Sequence, residues 1–300
     1  PSADSKLSYS FDNGDNEAYS FSTNLKIPLS TKFKILGNYN YRTTKNTVNN
    51  KEATTNSFLV GISYDLLSNI NFTGSLGISS SSGNSSNYNQ FLTDIYFYLK
   101  PFKLQDLKIG YKKELQNFNA DLINRKIVQD NIYIDYSLNT NFNLGFFSQY
   151  YYTNQNDNNT RNLFFTSLYY TLLKKPSLKV GVNYQNISFK NQIPTIYFSP
   201  EKFNAYEVFV NLIRDEIVIN NNEWFYELTA ATGLQFIEEG SKQNTYRIQA
   251  ILGYQLSHRS LFNFYASESN VASATAAGFR FTEIGIRFKW LLLKKPLLKK

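Results

Sequence analysis

Apolar and polar residues alternate with a period of two along most of this chain. Ile70, Phe72, Gly74, Leu76 and Ile78 share one face of a run whose other face is Asn71, Thr73, Ser75, Gly77 and Ser79. Phe58, Val60, Ile62, Tyr64 and Leu66 repeat the pattern against Leu59, Gly61, Ser63 and Asp65. So do Tyr246, Ile248, Ala250, Leu252, Tyr254 and Leu256 against Arg247, Gln249, Ile251, Gly253 and Gln255. This is the signature of strands with one apolar face. The runs exceed the roughly 5–6 residues of ordinary soluble strands. They match the roughly 9–11 tilted residues that cross a bilayer. The second face is polar and holds small and charged groups, as the wall of a water-filled lumen does.

Breaks between the runs alternate in length. Short ones fall at Pro28–Thr31, Leu67–Asn69, Lys100–Phe102, Leu138–Asn141, Lys174–Pro176, Asn220–Asn222 and Ser257–Arg259. Longer polar ones fall at Asp12–Asn16, Thr43–Asn56, Ser80–Asn89, Asn117–Gln129, Asn154–Asn162, Lys190–Asn204, Glu238–Asn244 and Glu268–Ala277. Eight long loops and seven short turns predict sixteen strands, with both termini on the short-turn side. An even strand number with short turns at one end and longer loops at the other is the outer-membrane pattern. A soluble sandwich has shorter strands and no such alternation. The predicted fold is an all-β transmembrane antiparallel barrel over residues 1–290, with periplasmic termini and a basic tail at 291–300. The last strand should run from near Phe279 to Trp290. Three echoes end even-numbered strands: Leu99-Lys100-Pro101, Leu172 to Pro176 and Leu292 to Pro296. They should all lie on one side of the membrane, where Lys reaches headgroups and Pro stops the ladder.

Composition removes most chemistry. Charged residues are 18% and aromatics 17% of the chain, which argues against disorder. The absence of Cys excludes disulfides, thiolate catalysis and Cys-based zinc sites. With His258 as the one histidine, neither a His-based metal site nor a Ser/His triad is expected. No nucleotide-binding glycine motif or nucleophile elbow is present. The expectation is therefore a non-enzyme with no cofactor and no metal. No apolar run approaches the length of a membrane helix. The chain shows neither an initiator Met nor a signal peptide and reads as a mature chain or an excised domain.

The net charge of +8 is spread over turns and inward positions rather than clustered with aromatics on one face, so nucleic acid is not the expected partner. Alternation places Lys34, Arg42, Lys108, Lys112, Arg247, Arg280 and Arg287 inward, opposed by Asp65, Asp94, Asp135, Glu207 and Glu227. Salt bridges across the lumen are the simpler reading of such mixed signs, and a path for anionic or polar cargo the other. Tyr96, Tyr98, Phe147, Tyr151, Phe209 and Phe225 also fall on the inward face. Rings beside Asn and Gln suit sugars, whose CH faces pack on π surfaces while hydroxyls meet amides. The same rings also serve to fill a lumen or brace a plug.

The segment Pro194-Thr195-Ile196-Tyr197-Phe198-Ser199-Pro200-Glu201-Lys202-Phe203 is locally distinctive. Its two prolines cannot extend a ladder, yet its apolar side chains are too bulky for a free loop. It should pack on the barrel rim or dip into the lumen mouth. Here the chain resembles the C-terminal outer-membrane barrel of the bacterial cellulose-synthase export protein and related exopolysaccharide export porins. Tyr197, Phe198, Ser199, Pro200 and Phe203 carry the match over about ten residues, and Glu201 and Lys202 depart from it. The resemblance implies a sixteen-stranded outer-membrane barrel that exports a polysaccharide. It also implies a periplasmic tetratricopeptide scaffold and an inner-membrane synthase as partners. The expected polymer path then includes Tyr96, Tyr98, Phe147, Tyr151, Tyr197, Phe198, Phe209, Phe225 and Arg247. The alternatives are a general or solute-specific diffusion porin, or a plugged barrel that anchors or assembles surface proteins.

Overall fold

A computed structural model describes residues 1–84, 87–214, 223–240, 242–272 and 280–292. Sixteen strands run in order: β1 (Ser2–Asp12), β2 (Asn16–Pro28), β3 (Phe33–Asn46), β4 (Glu52–Leu67), β5 (Ile70–Gly83) and β6 (Tyr88–Leu99). Next come β7 (Gln105–Leu115), the short helix α1 (Ala120–Asn124), β8 (Val128–Asn139), β9 (Leu144–Gln155), β10 (Thr160–Lys174) and β11 (Ser177–Phe189). The chain finishes with β12 (Phe203–Arg214), β13 (Trp224–Ile237), β14 (Gln243–Ser257), β15 (Ser260–Ser269) and β16 (Phe281–Leu291). Each strand pairs antiparallel with its sequence neighbours, and β1 closes the barrel on β16. That seam runs without a break from Ser2 opposite Leu291 to Asp12 opposite Phe281. Full closure leaves no unpaired strand edge, which is the condition for a sheet to lie in lipid.

The alternation sets the two faces as expected. Leu76, Val60, Ile62, Val208 and Ile248 form part of an exposed apolar belt around the outside. Near the short turns the belt ends in rings such as Trp224 beside Tyr254 and Phe72 beside Phe97. Toward the long loops it ends in Tyr184 beside Tyr206 and Tyr9 beside Tyr19. Outward tyrosine hydroxyls there meet polar partners, as Tyr150 does with Asn162 at 2.8 Å and Tyr184 with Asn204 at 2.9 Å. An apolar band between two aromatic girdles is the surface of an outer-membrane barrel.

Several expectations need correction. The loop expected at Thr43–Asn56 is mostly ladder, because β3 runs to Asn46 and β4 starts at Glu52, with Thr43 opposite Thr54 and Thr44 opposite Ala53. β5 likewise continues to Gly83 through the serines expected to open a loop. These strands project past the apolar belt, where both faces are polar and alternation fades, while β-branched Thr still favours a strand. Arg280 lies outside rather than inside. It precedes inward-facing Phe281 and pairs with Glu268 at 2.6 Å, a carboxylate that also accepts from the Tyr246 hydroxyl. The turn expected at Asn220–Asn222 and most of the 291–300 tail lie outside the described residues.

Candidate functional site

The inward faces of the sixteen strands make a lumen in which many of the charges are paired along the wall. Lys6 meets Glu283 at 2.7 Å, Arg247 meets Glu207 at 3.0 Å and Lys34 meets Asp65 at 3.6 Å. Lys112 pairs with Glu114, and Arg287 with Asp4. Asp135 accepts from Gln149 at 2.9 Å. Lys108 sits over the rings of Tyr96 and Tyr133, 4.1 and 4.8 Å from their centroids. Cation–π contact of this kind is worth about 0.5–2 kcal/mol. Among the described residues no group of three or more His, Cys, Asp or Glu is placed to hold a metal ion.

The inward aromatics concentrate on one sector of the wall. Tyr133 stacks on Tyr151, with centroids 5.1 Å apart and planes 12° from parallel, and Phe147 lies 6.1 Å from Phe165. The Tyr98 hydroxyl donates to Asp106. Phe209 and Phe225 lie flat over glycines of neighbouring strands. A methyl group on Gly253 would fall 1.9 Å from Phe225 Cζ, and one on Gly181 would fall 2.7 Å from Phe209 Cε1. Phe225 is also buried against Leu261. Phe225 is buried as wall, whereas Tyr96, Tyr98, Phe147, Tyr151 and Phe209 are part-exposed.

Two chambers stand out in the lumen among the described residues. The larger, of about 690 Å³, is lined by Asn24, Asn38, Asn40, Arg42, Asp94 and Tyr96 among others. The smaller, of about 400 Å³, is lined by Gln185, Arg247, Gln249 and Phe281. Between them stands the β7–β8 connection, residues 116–127, which folds inward as a strap. Asn119 caps α1 by accepting from the Leu122 amide at 2.9 Å. The helix packs on β3, β4 and β5, with Ile123 buried against Ala53. Phe118 reaches the opposite wall, 5.4 Å from the Phe281 ring, and lines the smaller chamber. The strap therefore spans the lumen.

Its apolar residues Leu122 and Ile127 join a buried cluster at the long-loop mouth with Ile187, Phe189, Tyr197, Phe203, Ala205, Val271 and Ala272. The distinctive 194–203 segment thus dips into the mouth, one of the two placements expected for it. Tyr197 is only 2% exposed, with its hydroxyl donating to Asp157 at 2.7 Å and accepting from Asn159 at 2.8 Å. Burial is the main cause that holds this phenol well above its usual pKa, so it stays a donor. Phe198 packs edge-on against Phe203, centroids 5.6 Å apart. Tyr197 is a structural member of the mouth cluster, and its ring is not on a water-facing channel surface. The strap escaped sequence reading, because residues 116–127 look like any polar loop with a few apolar residues. The ring-over-glycine pairs were available in principle, since parity and register together put Phe225 opposite Gly253.

No family model matches the chain, and no curated protein matches it. Among solved structures it is similar to one described as a bacterial polysaccharide outer membrane secretin, with a TM-score of 0.76 at 9% identity over 97% of this chain and 98% of that one. It is also similar to CdiB from Acinetobacter baumannii, with a TM-score of 0.53 at 11% identity over 96% of this chain and 60% of that one. OccD3 (OpdP) of Pseudomonas aeruginosa gives 0.52 at 9% identity over 97% of this chain and 91% of that one. At these identities the likeness is one of fold. With the apolar belt and the polar lumen, it makes this chain a sixteen-stranded barrel of the Gram-negative outer membrane.

Proposed function

We propose that the barrel is the outer-membrane conduit for a secreted, uncharged polysaccharide, cellulose or a similar exopolysaccharide. The observation that carries this reading is the lumen lining: paired charges, amides and hydroxyls, and a sector of part-exposed rings. A neutral sugar chain needs ring faces to pack on and amides to meet its hydroxyls, and gains nothing from a net field. The paired wall charges weaken the field that would attract one sign of ion. The fold likeness to a polysaccharide outer membrane secretin over nearly the whole of both chains supports the same reading. Passage is non-covalent and needs no cofactor. The polymer arrives from an inner-membrane synthase through a periplasmic tetratricopeptide scaffold, as the resemblance at Tyr197–Phe203 implies.

The test is a planar-bilayer recording of the barrel with residues 117–126 replaced by a short Gly/Ser linker. Linear neutral glucan oligomers on the short-turn side should give transient current blocks, and Tyr96→Ala with Tyr151→Ala should shorten them. A steady conductance that no neutral oligomer interrupts would leave a simple diffusion porin. The filled mouth favours a second reading, a plugged barrel serving as anchor or assembly partner. That reading gains if no single-loop deletion conducts.

A further inference from the structure

The strap at residues 116–127 meets the barrel in two chemically different ways. Its far side is apolar and joins the mouth cluster through Leu122 and Ile127. Its near side rests on β3–β6 through Ala120 and Ile123, packed on Ala53 and Tyr88, and through a small set of polar contacts. Arg42, inward on β3, donates from Nε to the Asn117 carbonyl at 2.9 Å and from Nη2 to the Phe118 carbonyl at 3.1 Å. The same guanidinium donates to Ser20 at 2.8 Å, so its position is fixed from the wall side. Asn117 Nδ2 donates to Thr55 Oγ1 at 3.4 Å. Further out, Lys51 pairs with Asp121 at 2.6 Å and the Tyr88 hydroxyl donates to the Ile123 carbonyl at 2.8 Å.

The strap is closed on itself at its neck, where the Gln116 amide donates to the Ile127 carbonyl at 2.9 Å, so it can move as one unit. Its helix is five residues long, far below the length at which a helix stands alone. Its place in the lumen is therefore set by the wall. Thr44 Oγ1 and Asn124 Oδ1 are buried with no hydrogen-bond partner among the described residues. Such atoms weaken the seated state relative to one in which water reaches them. Arg42 makes a bidentate grip on backbone carbonyls at the point where the chain leaves β7, while Asn156 holds the β8 end through the Lys126 carbonyl at 2.7 Å and the Val128 amide at 2.9 Å. A residue at the β7 end acts on the whole strap, since everything beyond Asn117 follows its path.

We propose that residues 116–127 form a gate across the lumen and that Arg42 is its latch. With the latch engaged, Phe118 is held between the two chambers and the through-path is closed. With it released, the strap swings on its β7 and β8 ends and the chambers join. The inference rests on the channel reading and not on the identity of the cargo, because ion current alone reports it.

The chain has no cysteine, so a single engineered pair gives a clean lock. Asn117 and Thr55 touch through their side chains at 3.4 Å, so Thr55→Cys with Asn117→Cys is the pair to oxidise, with formation of the bond verified by loss of free thiol. In planar bilayers the oxidised pair should be silent and should regain the parent's current on adding reductant. Arg42→Ala removes two hydrogen bonds from a charged group and should raise open probability at least about tenfold. Heat-modifiable gel mobility checks that each variant is folded. If Arg42→Ala fails to fold, Arg42→Gln and the cysteine pair carry the test. Oxidised and reduced pairs conducting alike, or folded Arg42 variants no more open than the parent, would overturn the gate. The oligosaccharide-block assay on the linker variant is independent of either result, so the cargo reading and the gate fail separately.

Discussion

Leu76→Arg against Ser75→Arg tests the barrel register one residue apart. Leu76 is the seventh of fourteen residues in β5, 52% exposed, and sits in the outer belt with Val60 and Thr93 as cross-strand partners. An Arg there faces hydrocarbon near the bilayer midplane, at a cost of about 2–4 kcal/mol. That lowers the folding equilibrium by about 30-fold to 900-fold, taking 1.36 kcal/mol per decade. Ser75 points the other way. It lines the larger chamber and lies opposite Asp94 on β6, which gives a new guanidinium a carboxylate and a polar, uncrowded space. Ser75→Arg should therefore change stability by less than about 1 kcal/mol, the usual range for exposed ion pairs. Refolding into lipid vesicles along a urea gradient, scored by heat-modifiable mobility, separates the two. Equal loss in both variants, or a larger loss for Ser75→Arg, would refute the assignment of inside and outside.

Two further outcomes follow from packing and charge. Gly253→Ala should destabilise by about 1–3 kcal/mol through overpacking, because the new methyl meets the Phe225 ring, while Gly37→Ala should be near neutral with its nearest neighbour at 3.6 Å; urea midpoints of the two variants check this. Arg247→Ala leaves Glu207, whose side chain is 3% exposed, without its cation and should cost about 3–5 kcal/mol. Adding Glu207→Gln should restore most of that loss, and failure of the double variant to recover would mean that the pair is not what holds β12 to β14.

Much of the architecture was written in local alternation. The side chains of Ile70, Phe72, Leu76 and Ile78 are driven to lipid by the same period-two geometry that puts Asn71, Thr73 and Ser75 in the lumen. Strand number, the side of the termini and the inward position of Tyr96, Tyr151 and Arg247 follow from counting along the chain. The limits of that reading show where alternation stops carrying information. At Thr43–Asn46 and Glu52–Asn56 the strands rise above the apolar belt, both faces are polar, and the ladder continues unseen. Arg280 was misplaced because parity assigned through a loop has no anchor until the partner strand is known.

What only tertiary structure decided is everything that crosses the lumen. Leu122, Ile127, Ile193 and Ile196 announce in sequence that their loops must bury something. They do not say against what, since that depends on wall residues far away along the chain. Arg42 grips carbonyls 75 and 76 positions on, and Arg247 finds Glu207 forty residues back. Such pairings exist because closing the sheet folds distant strands into one wall and brings opposite walls within a loop's reach. Tyr197 shows the same division. Its bulk marked it for burial, but the shared mouth cluster and the Asp157 and Asn159 partners that make it a packing residue were fixed only when four loops met.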